Sequence, residues 1–220
     1  MKKHLFILML AYTSVGYGVI PMTHAQDVPG VSAGVFFEHR SESKINNNEL
    51  SCNYYGLRLK VRDERFIEGF VDLGIQGLDV KGFKADDKGA FGLGGTIWLT
   101  RADGDLLPLD VGFYGSIHVA DYTLKSDRGS STDARYTRYM FQGAVRAFDA
   151  DILRPYLRAG IIGTKLSPDT DGVLPVDGLD KIKPAVNVGA EYSIGRSLVI
   201  TVEGNYAEGP GGALRLDYWF

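Results

Sequence analysis

The stretch Leu214-Arg215-Leu216-Asp217-Tyr218-Trp219-Phe220 determines which fold the sequence predicts. Its side chains alternate, so a β-strand would carry Leu214, Leu216, Tyr218 and Phe220 on one face and charged residues with a tryptophan on the other. The apolar face ends in aromatic residues at the last position of the chain. Termini of soluble domains usually fray into water, whereas a strand whose outer face meets lipid can end in this way. The stretch therefore predicts a lipid-facing β-strand.

The same alternation with a period of two recurs along the chain, and no long window has a helical period. Together with the last strand, the alternating segments predict ten strands. They are 31–40, 55–62, 67–76, 91–100, 109–119, 138–147, 153–165, 186–194 and 198–206. Eight strands is the alternative, because 31–40 and 153–165 alternate less cleanly than the others. The sequence thus predicts an all-β fold, an antiparallel up-and-down transmembrane β-barrel.

The connections between the predicted strands differ in length from one end of the barrel to the other. Short connections are predicted at 63–65, around 103–104, at 149–151 and at 195–197. Longer polar connections are predicted at 41–49, 80–89, 122–133 and 167–181, with a brief one at 207–212. Short turns on one rim and long loops on the other are typical of outer-membrane barrels.

The amino-terminal residues predict export. Lys2 and Lys3 precede an apolar run from Leu5 to Ala11, and Thr23-His24-Ala25 offers small residues at a cleavage site. This is the pattern of a secretory signal peptide over residues 1–25. Residues 26–220 are then a single barrel domain.

The composition excludes some functions and restricts others. The chain of 220 residues carries a formal net charge of −3 and no basic run, which argues against a nucleic-acid partner. Its 28 glycines and 12 tyrosines suit a β-rich chain with tight bends. Cys52 is the single cysteine, so no intramolecular disulfide can form, and the sequence favours a sequestered thiol.

The two faces of the predicted strands differ in chemistry. One face is almost free of charges and has aromatic residues near the strand ends, which are Tyr55, Tyr139, Tyr192, Tyr206 and Phe220. This face is predicted to meet lipid, and the charged face is predicted to line the lumen. The predicted lumen network comprises Arg58, Lys60, Arg62, Glu68, Asp72, Asp110, His118, Arg138, Arg146, Arg158, Glu191, Glu203, Arg215 and Asp217, with Glu38, Arg40 and Arg154 on the same face. Acids and bases removed from bulk water must pair, so an interior of ion pairs is the leading interpretation, and a narrow conduit that slightly favours anions is the alternative.

These features resemble the small bacterial outer-membrane β-barrels, the group that includes OmpA-like, OmpW-like and opacity proteins. Leu216, Tyr218 and Phe220 are similar to the carboxy-terminal signal by which the barrel-assembly machinery recognises such chains. The resemblance implies an outer-membrane location with both termini in the periplasm. It also implies contact with outer-membrane lipids and lipopolysaccharide, and an extracellular face that could meet an unidentified ligand.

The sequence predicts no enzyme, cofactor or metal site. A structural or surface-interaction role is the leading hypothesis, and a narrow channel for ions or small solutes is the alternative. A lipid-modifying enzyme using His39 and Ser41, or a protease using His118, is a weaker third hypothesis, because neither set completes a catalytic constellation. The stretch Asp169–Gly172 imitates the start of a calcium loop but lacks the later glutamate.

Overall fold

Eleven β-strands form the regular secondary structure of the part of the chain that the computed structural model describes. That part comprises residues 29–45, 48–63, 66–80, 83–100, 109–126, 131–147, 152–168, 179–207 and 209–220. The strands are β1 (Gly30–Ile45), β2 (Asn48–Arg62), β3 (Ile67–Val80), β4 (Phe83–Ala85), β5 (Lys88–Thr100), β6 (Leu109–Ser126), β7 (Ser131–Ala147), β8 (Leu153–Pro168), β9 (Leu179–Ile194), β10 (Leu198–Tyr206) and β11 (Pro210–Trp219). The predicted signal peptide and the stretch Asp169–Gly172 lie outside these ranges.

The strands close into a barrel. Each long strand pairs antiparallel with its neighbours in sequence, and β1 pairs with β11 from Ser32 opposite Trp219 to Arg40 opposite Gly211. The short β4 pairs with β3 and β6 at one rim, so the closed wall has ten long strands. The prediction of a ten-stranded antiparallel barrel is confirmed, and the eight-stranded alternative is wrong. Within the described residues, no helix is long and apolar enough to span a membrane.

The outer face of the wall is apolar and the inner face is polar. Large apolar side chains are exposed around the barrel, for example Leu57 at 61%, Phe141 at 58% and Val188 at 59%. Aromatic residues lie near the ends of this apolar band, where Tyr206 is 62% and Phe220 is 81% exposed. Water-soluble barrels have the opposite arrangement. An apolar band around a charged interior is the architecture of a transmembrane barrel.

The two rims are distinguished by the chain ends. The terminal rim contains the start of β1, the end of β11 and the turn Gly195–Ser197, where Gly195 adopts a positive φ of 65°. The distal rim lies at the opposite end of the wall. There β1 runs to Ile45, β6 runs to Ser126 and β7 begins at Ser131.

The prediction of long loops at the distal rim is wrong for most of the segments 41–49, 80–89 and 122–133, whereas most of the predicted loop 167–181 lies outside the described residues. The segments 41–49, 80–89 and 122–133 are largely strand, and β8 and β9 both extend into the segment predicted as the loop 167–181. The wall itself projects where the loops were expected. The physical reason is that side chains keep alternating beyond the apolar band, but there the outward residues are polar and the inward residues are apolar. A pattern in which the outward residues are always apolar therefore ends before the strands do.

An inner apolar cluster fills the barrel at this projecting end. Its members are Phe36, Cys52, Tyr54, Leu78, Ala90, Ala120, Tyr122, Leu124, Ala134, Tyr136 and Leu166, all 7% exposed or less. The rings of Phe36 and Tyr54 meet edge to face with centroids 4.6 Å apart, and those of Tyr122 and Tyr136 at 6.4 Å. Outside the same strands, Arg135 Nε donates to Asp121 Oδ1 at 2.7 Å, and Thr123 donates to Asp133 at 2.7 Å. This projecting part thus has the polarity of a water-soluble barrel.

Candidate functional site: the polar lumen

The inner face carries every residue of the predicted lumen network. Eleven of them are buried, namely Arg58, Arg62, Glu68, Asp72, Asp110, His118, Arg138, Arg146, Arg158, Glu203 and Asp217. The other three, Lys60, Glu191 and Arg215, have side chains between 11% and 14% exposed. Their strands place them there because successive side chains alternate between the faces of the wall.

A bidentate ion pair joins β2 and β3 at mid-height. Arg58 and Asp72 lie directly opposite each other in the register, and Arg58 Nε and Nη2 donate to the two carboxylate oxygens, each at 2.6 Å. His118 Nε2 lies 3.4 Å from Asp72 Oδ2. The Arg58 guanidinium also stacks over the Phe70 ring at 3.9 Å from its centroid. Paired donors and an aromatic face hold this guanidinium in one orientation.

Glu68 is the centre of a second group nearer the terminal rim. Its carboxylate accepts hydrogen bonds from Arg146 Nη1 and Trp98 Nε1, both at 3.0 Å, and lies 3.2 Å from Arg62 Nη2. Arg146 also donates to Asp110 Oδ2 at 2.9 Å and stacks over the Trp98 ring at 4.2 Å. Five strands, β2, β3, β5, β6 and β7, are joined by these contacts, so the group connects the wall across the lumen near the terminal rim.

Glu203 is the centre of a third group on the facing wall. It accepts hydrogen bonds from Arg158, from the Tyr156 hydroxyl at 2.5 Å and from Asn187 Nδ2 at 2.7 Å. Arg215 Nη1 lies 3.5 Å from the same carboxylate. Donors from β8, β9 and β11 thus share one carboxylate. The group contains two cations, Arg158 and Arg215, and one anion, Glu203.

Glu38 and Arg40 pair on β1 beside the inner apolar cluster, opposite Tyr54 and Cys52 in the register. Arg138 Nη1 reaches the same carboxylate at 3.5 Å from β7. The rings of His118 and Tyr54 meet edge to face at 5.6 Å, which joins the polar lumen to the inner apolar cluster. The ion-paired part of the interior is therefore in direct contact with the inner apolar cluster, and together they fill the interior.

A cavity lies in the described part of the lumen, and we call it the lumen cavity. Its volume is about 70 Å³. It is lined by Arg58, Lys60, Glu68, Phe70, Gly95, Thr96, Trp98, Tyr114, Ala144, Arg146, Tyr156, Arg158, Glu191 and Arg215. Five of these residues are cationic and two are anionic. Cations therefore outnumber anions in the lining, and three of the cations pair with Asp72, Asp110 and Glu203 just outside it.

Comparisons with known proteins bear on the fold. No family model matches the sequence, and no curated protein matches it. Among solved structures, the translocator domain of the autotransporter NalP from Neisseria meningitidis is similar at 11% identity and a TM-score of 0.50, over 99% of this chain and 96% of that one. The β domain of the Bordetella autotransporter BrkA is similar at 11% identity and a TM-score of 0.51, over 88% and 99%. The attachment invasion locus protein Ail of Yersinia pestis has 13% identity and a TM-score of 0.41, over 87% and 99%.

The protein has the fold of an outer-membrane β-barrel. At these identities the likeness shows the fold alone, so the roles named for those proteins are not transferred to this barrel. Its own side chains must carry the functional argument.

His39 and Ser41, which lie two residues apart on β1, share the outer face of the wall, whereas His118 lies on the inner face. His39 points outward, and its Nδ1 donates to Asn53 Oδ1 at 2.8 Å. His118 lies inside between Asp72 and Tyr54.

On the distal rim, Lys125 Nζ contacts Asp86 Oδ2 at 2.8 Å and lowers the pKa of that exposed carboxyl through the hydrogen bond and its charge.

Sequence reasoning missed the aromatic and amide residues that complete the lumen. Trp98, Tyr114 and Tyr156 stack against or hydrogen-bond the lumen arginines and glutamates. Gln142 Nε2 donates to Asn187 Oδ1 at 2.8 Å across the interior. Their signal was available, because they share the parity of the charged residues on their own strands. The predicted network included only charged residues and His118, so these side chains were left out of it.

Proposed function

We propose that this protein resides in the bacterial outer membrane as a closed, non-conducting barrel with a structural or surface-interaction role. Its terminal rim would face the periplasm and its projecting distal rim the exterior. The observation that carries the proposal is the filled interior. The inner apolar cluster occupies the distal end, and ion pairs occupy the middle and the terminal end.

The filled interior makes the channel alternative the weaker one. Conduction requires a path along which an ion exchanges its hydration shell for polar groups. Tyr54, Tyr122 and Tyr136 are at most 1% exposed, so the distal end offers an ion no such path. A barrel of this size has room for side chains or one small ligand rather than an open pore.

The projecting wall supplies the surface for interaction. β6 continues seven residues past Val119 to Ser126, which is roughly 23 Å along the strand. Its outer face is polar, with Asp121 and Arg135 paired and Lys165 exposed on β8. We propose that lipopolysaccharide meets this polar belt while lipid tails meet the apolar band, and that the carboxy-terminal strand is recognised by the barrel-assembly machinery during insertion.

Planar-bilayer recording tests closure. The refolded protein, with folding checked by heat-modifiable mobility on gels, should give no steady conductance. A steady conductance that changes with Arg158→Glu, inside the lumen, but not with Arg135→Glu, outside it, would overturn the proposal and establish the channel.

Labelling of intact cells tests the orientation. Cys52 is fully buried, so the background from the native thiol should be low. Asp133→Cys, near the distal rim, should react with a membrane-impermeant maleimide on intact cells. Arg196→Cys, in the turn at the terminal rim, should react only after permeabilisation. The reverse pattern would show that the distal rim faces the periplasm.

A further inference from the structure

The lumen cavity has the size of a small ion with its contacts. A cavity of about 70 Å³ has room for about five water molecules, since one water molecule needs roughly 10–15 Å³ of cavity volume. A tetrahedral oxyanion such as phosphate or sulfate has five heavy atoms. The cavity is therefore large enough for one such ion and too small for a sugar or a nucleotide.

Three of its five cations are already bonded to carboxylates. Arg58 pairs with Asp72, Arg146 with Asp110 and Glu68, and Arg158 with Glu203. Each guanidinium also stacks on an aromatic ring, Arg58 on Phe70, Arg146 on Trp98 and Arg158 on Tyr114, at 3.9–4.2 Å. These three groups are held rigidly around the cavity, so they shape it, and their paired carboxylates offset their charge.

The other two cations have most of their donors unused. Lys60 Nζ lies 3.9 Å from both Glu68 and Glu191, which is beyond hydrogen-bond range. Arg215 lies 3.5 Å from Glu203, whose oxygen already accepts from Arg158 and Tyr156. In addition, the buried Nε of Arg158 has no acceptor. Buried donors without acceptors are costly, so these groups favour an incoming acceptor that carries negative charge.

Glu191 adds a selective element. Its Oε2 is buried and accepts no hydrogen bond. A ligand that brings both acceptor oxygens and one hydroxyl donor would satisfy the cations and this carboxylate together. Hydrogen phosphate has that pattern, whereas sulfate has no donor at neutral pH and would leave Glu191 unsatisfied and repelled.

We propose that the lumen cavity is a binding site for a small protonated oxyanion of the hydrogen-phosphate type, held by Lys60 and Arg215 and discriminated by Glu191. The site is independent of the surface-interaction role, and it needs no conduction because the ion can bind in the lumen without crossing the barrel.

Calorimetric titration of the refolded barrel in maltoside micelles, which contain no phosphate, tests the site with inorganic phosphate as the probe. The wild-type protein should bind one phosphate per barrel and bind sulfate at least tenfold more weakly. Lys60→Gln and Arg215→Gln should each weaken phosphate binding at least tenfold. Glu191→Gln should abolish the preference over sulfate, because an amide can donate to either anion.

Two further variants keep the result interpretable. Ala144→Leu fills the cavity without changing a charge and should weaken phosphate binding at least tenfold. Arg135→Gln removes an exposed cation on the outer wall and should leave binding unchanged. All variants must show heat-modifiable mobility, so that loss of binding is separated from loss of folding.

Several results would overturn the proposal. These are no phosphate binding by the wild-type protein, equal binding of sulfate, or a loss of binding in Arg135→Gln that Ala144→Leu does not share. O-phosphorylethanolamine, a phospholipid headgroup without tails, is titrated in parallel. Tighter binding of that compound than of phosphate would assign the site to a lipid headgroup and overturn the assignment to a free oxyanion.

Discussion

Removing one partner of the Arg58–Asp72 pair should destabilise the barrel strongly, and removing both should not. The two side chains are directly opposite each other, doubly hydrogen-bonded at 2.6 Å, and 8% and 1% exposed. Asp72→Leu leaves a buried guanidinium without its counter-ion, and Arg58→Met leaves a buried carboxylate with only His118 nearby. Each single change should cost about 3–5 kcal/mol of unfolding free energy. The double variant leaves no uncompensated charge and should lose only about 1–2 kcal/mol, because replacing a buried ion pair by apolar side chains is often close to neutral.

The outer wall offers a matched control pair. Arg135 and Asp121 are also directly opposite each other on neighbouring strands, with Nε and Oδ1 2.7 Å apart, but their side chains are 62% and 69% exposed. The same substitutions there should show a coupling energy of about 0.2–1 kcal/mol, because water screens an exposed pair. The register and the first hydrogen bond are alike in the two pairs, while the second hydrogen bond of the exposed pair is longer at 3.5 Å, so the difference between the two double-mutant cycles measures burial together with this second bond.

The assay is equilibrium unfolding of the refolded barrel in micelles by denaturant. Trp98 and Trp219 are the only tryptophans and both are buried on the inner face, so their fluorescence reports loss of the lumen. Coupling energies that are equal in the two cycles would refute the argument that the lumen pair is stabilised by its buried setting. A double variant as unstable as the sum of the two single variants would refute it as well.

Three further outcomes follow from the wall. Leu57→Arg places a cation on the lipid face, within the exposed apolar row Tyr55, Leu57, Leu59 and Val61 of β2, and should cost about 2–4 kcal/mol of unfolding free energy in bilayers; no loss would argue against a lipid-facing band. Gly160→Ala should cost about 1–3 kcal/mol, because its new methyl group would overlap the backbone oxygen of Phe141 on the neighbouring strand, whereas Gly163→Ala, which meets only the ring end of Tyr139, should cost less. Deletion of Phe220 should lower the amount of barrel inserted in cells while refolding in detergent is retained, and equal insertion measured by heat-modifiable mobility would remove its assignment to an assembly signal.

The strands inside the apolar band could be predicted from the sequence because one physical rule governs them. Lipid outside and charge inside impose strict alternation, and the carboxy-terminal strand shows it within seven residues. The same parity placed Arg58, Glu68 and Glu203 on the inner face. Their partners could not be predicted, because the pairing of Glu203 with Arg158 and of Glu68 with Arg146 depends on which walls face each other across the closed barrel.

The distal ends of the strands were missed for a different reason. In β6, Tyr122 and Leu124 share the parity of His118, and in β7 Ala134 and Tyr136 share the parity of Arg138. If the inward positions are expected to be polar, these apolar residues interrupt the alternation and predict a loop. The backbone continues as strand, and the environment changes instead. A prediction of such strands should therefore allow the polar and apolar faces to exchange once along the strand.

In β6 and β7 the pattern reverses at one level on both faces of the wall, and that level marks where these strands leave the lipid, whereas on β1 the inner face stays charged as far as Arg40. On the inner face, His118 lies opposite Arg138, and one pleat further along, Ala120 lies opposite Tyr136. On the outer face of β6, the apolar residues end at Val119 and the polar belt follows. Below the level, lipid requires an apolar exterior, so charges are retained only where they pair with one another inside. Above it, water surrounds the wall, so the exterior can carry exposed ions and the interior must be filled by apolar packing. Because each face changes in the direction that its own surroundings require, the joint reversal places the membrane boundary at the level of His118 and Arg138.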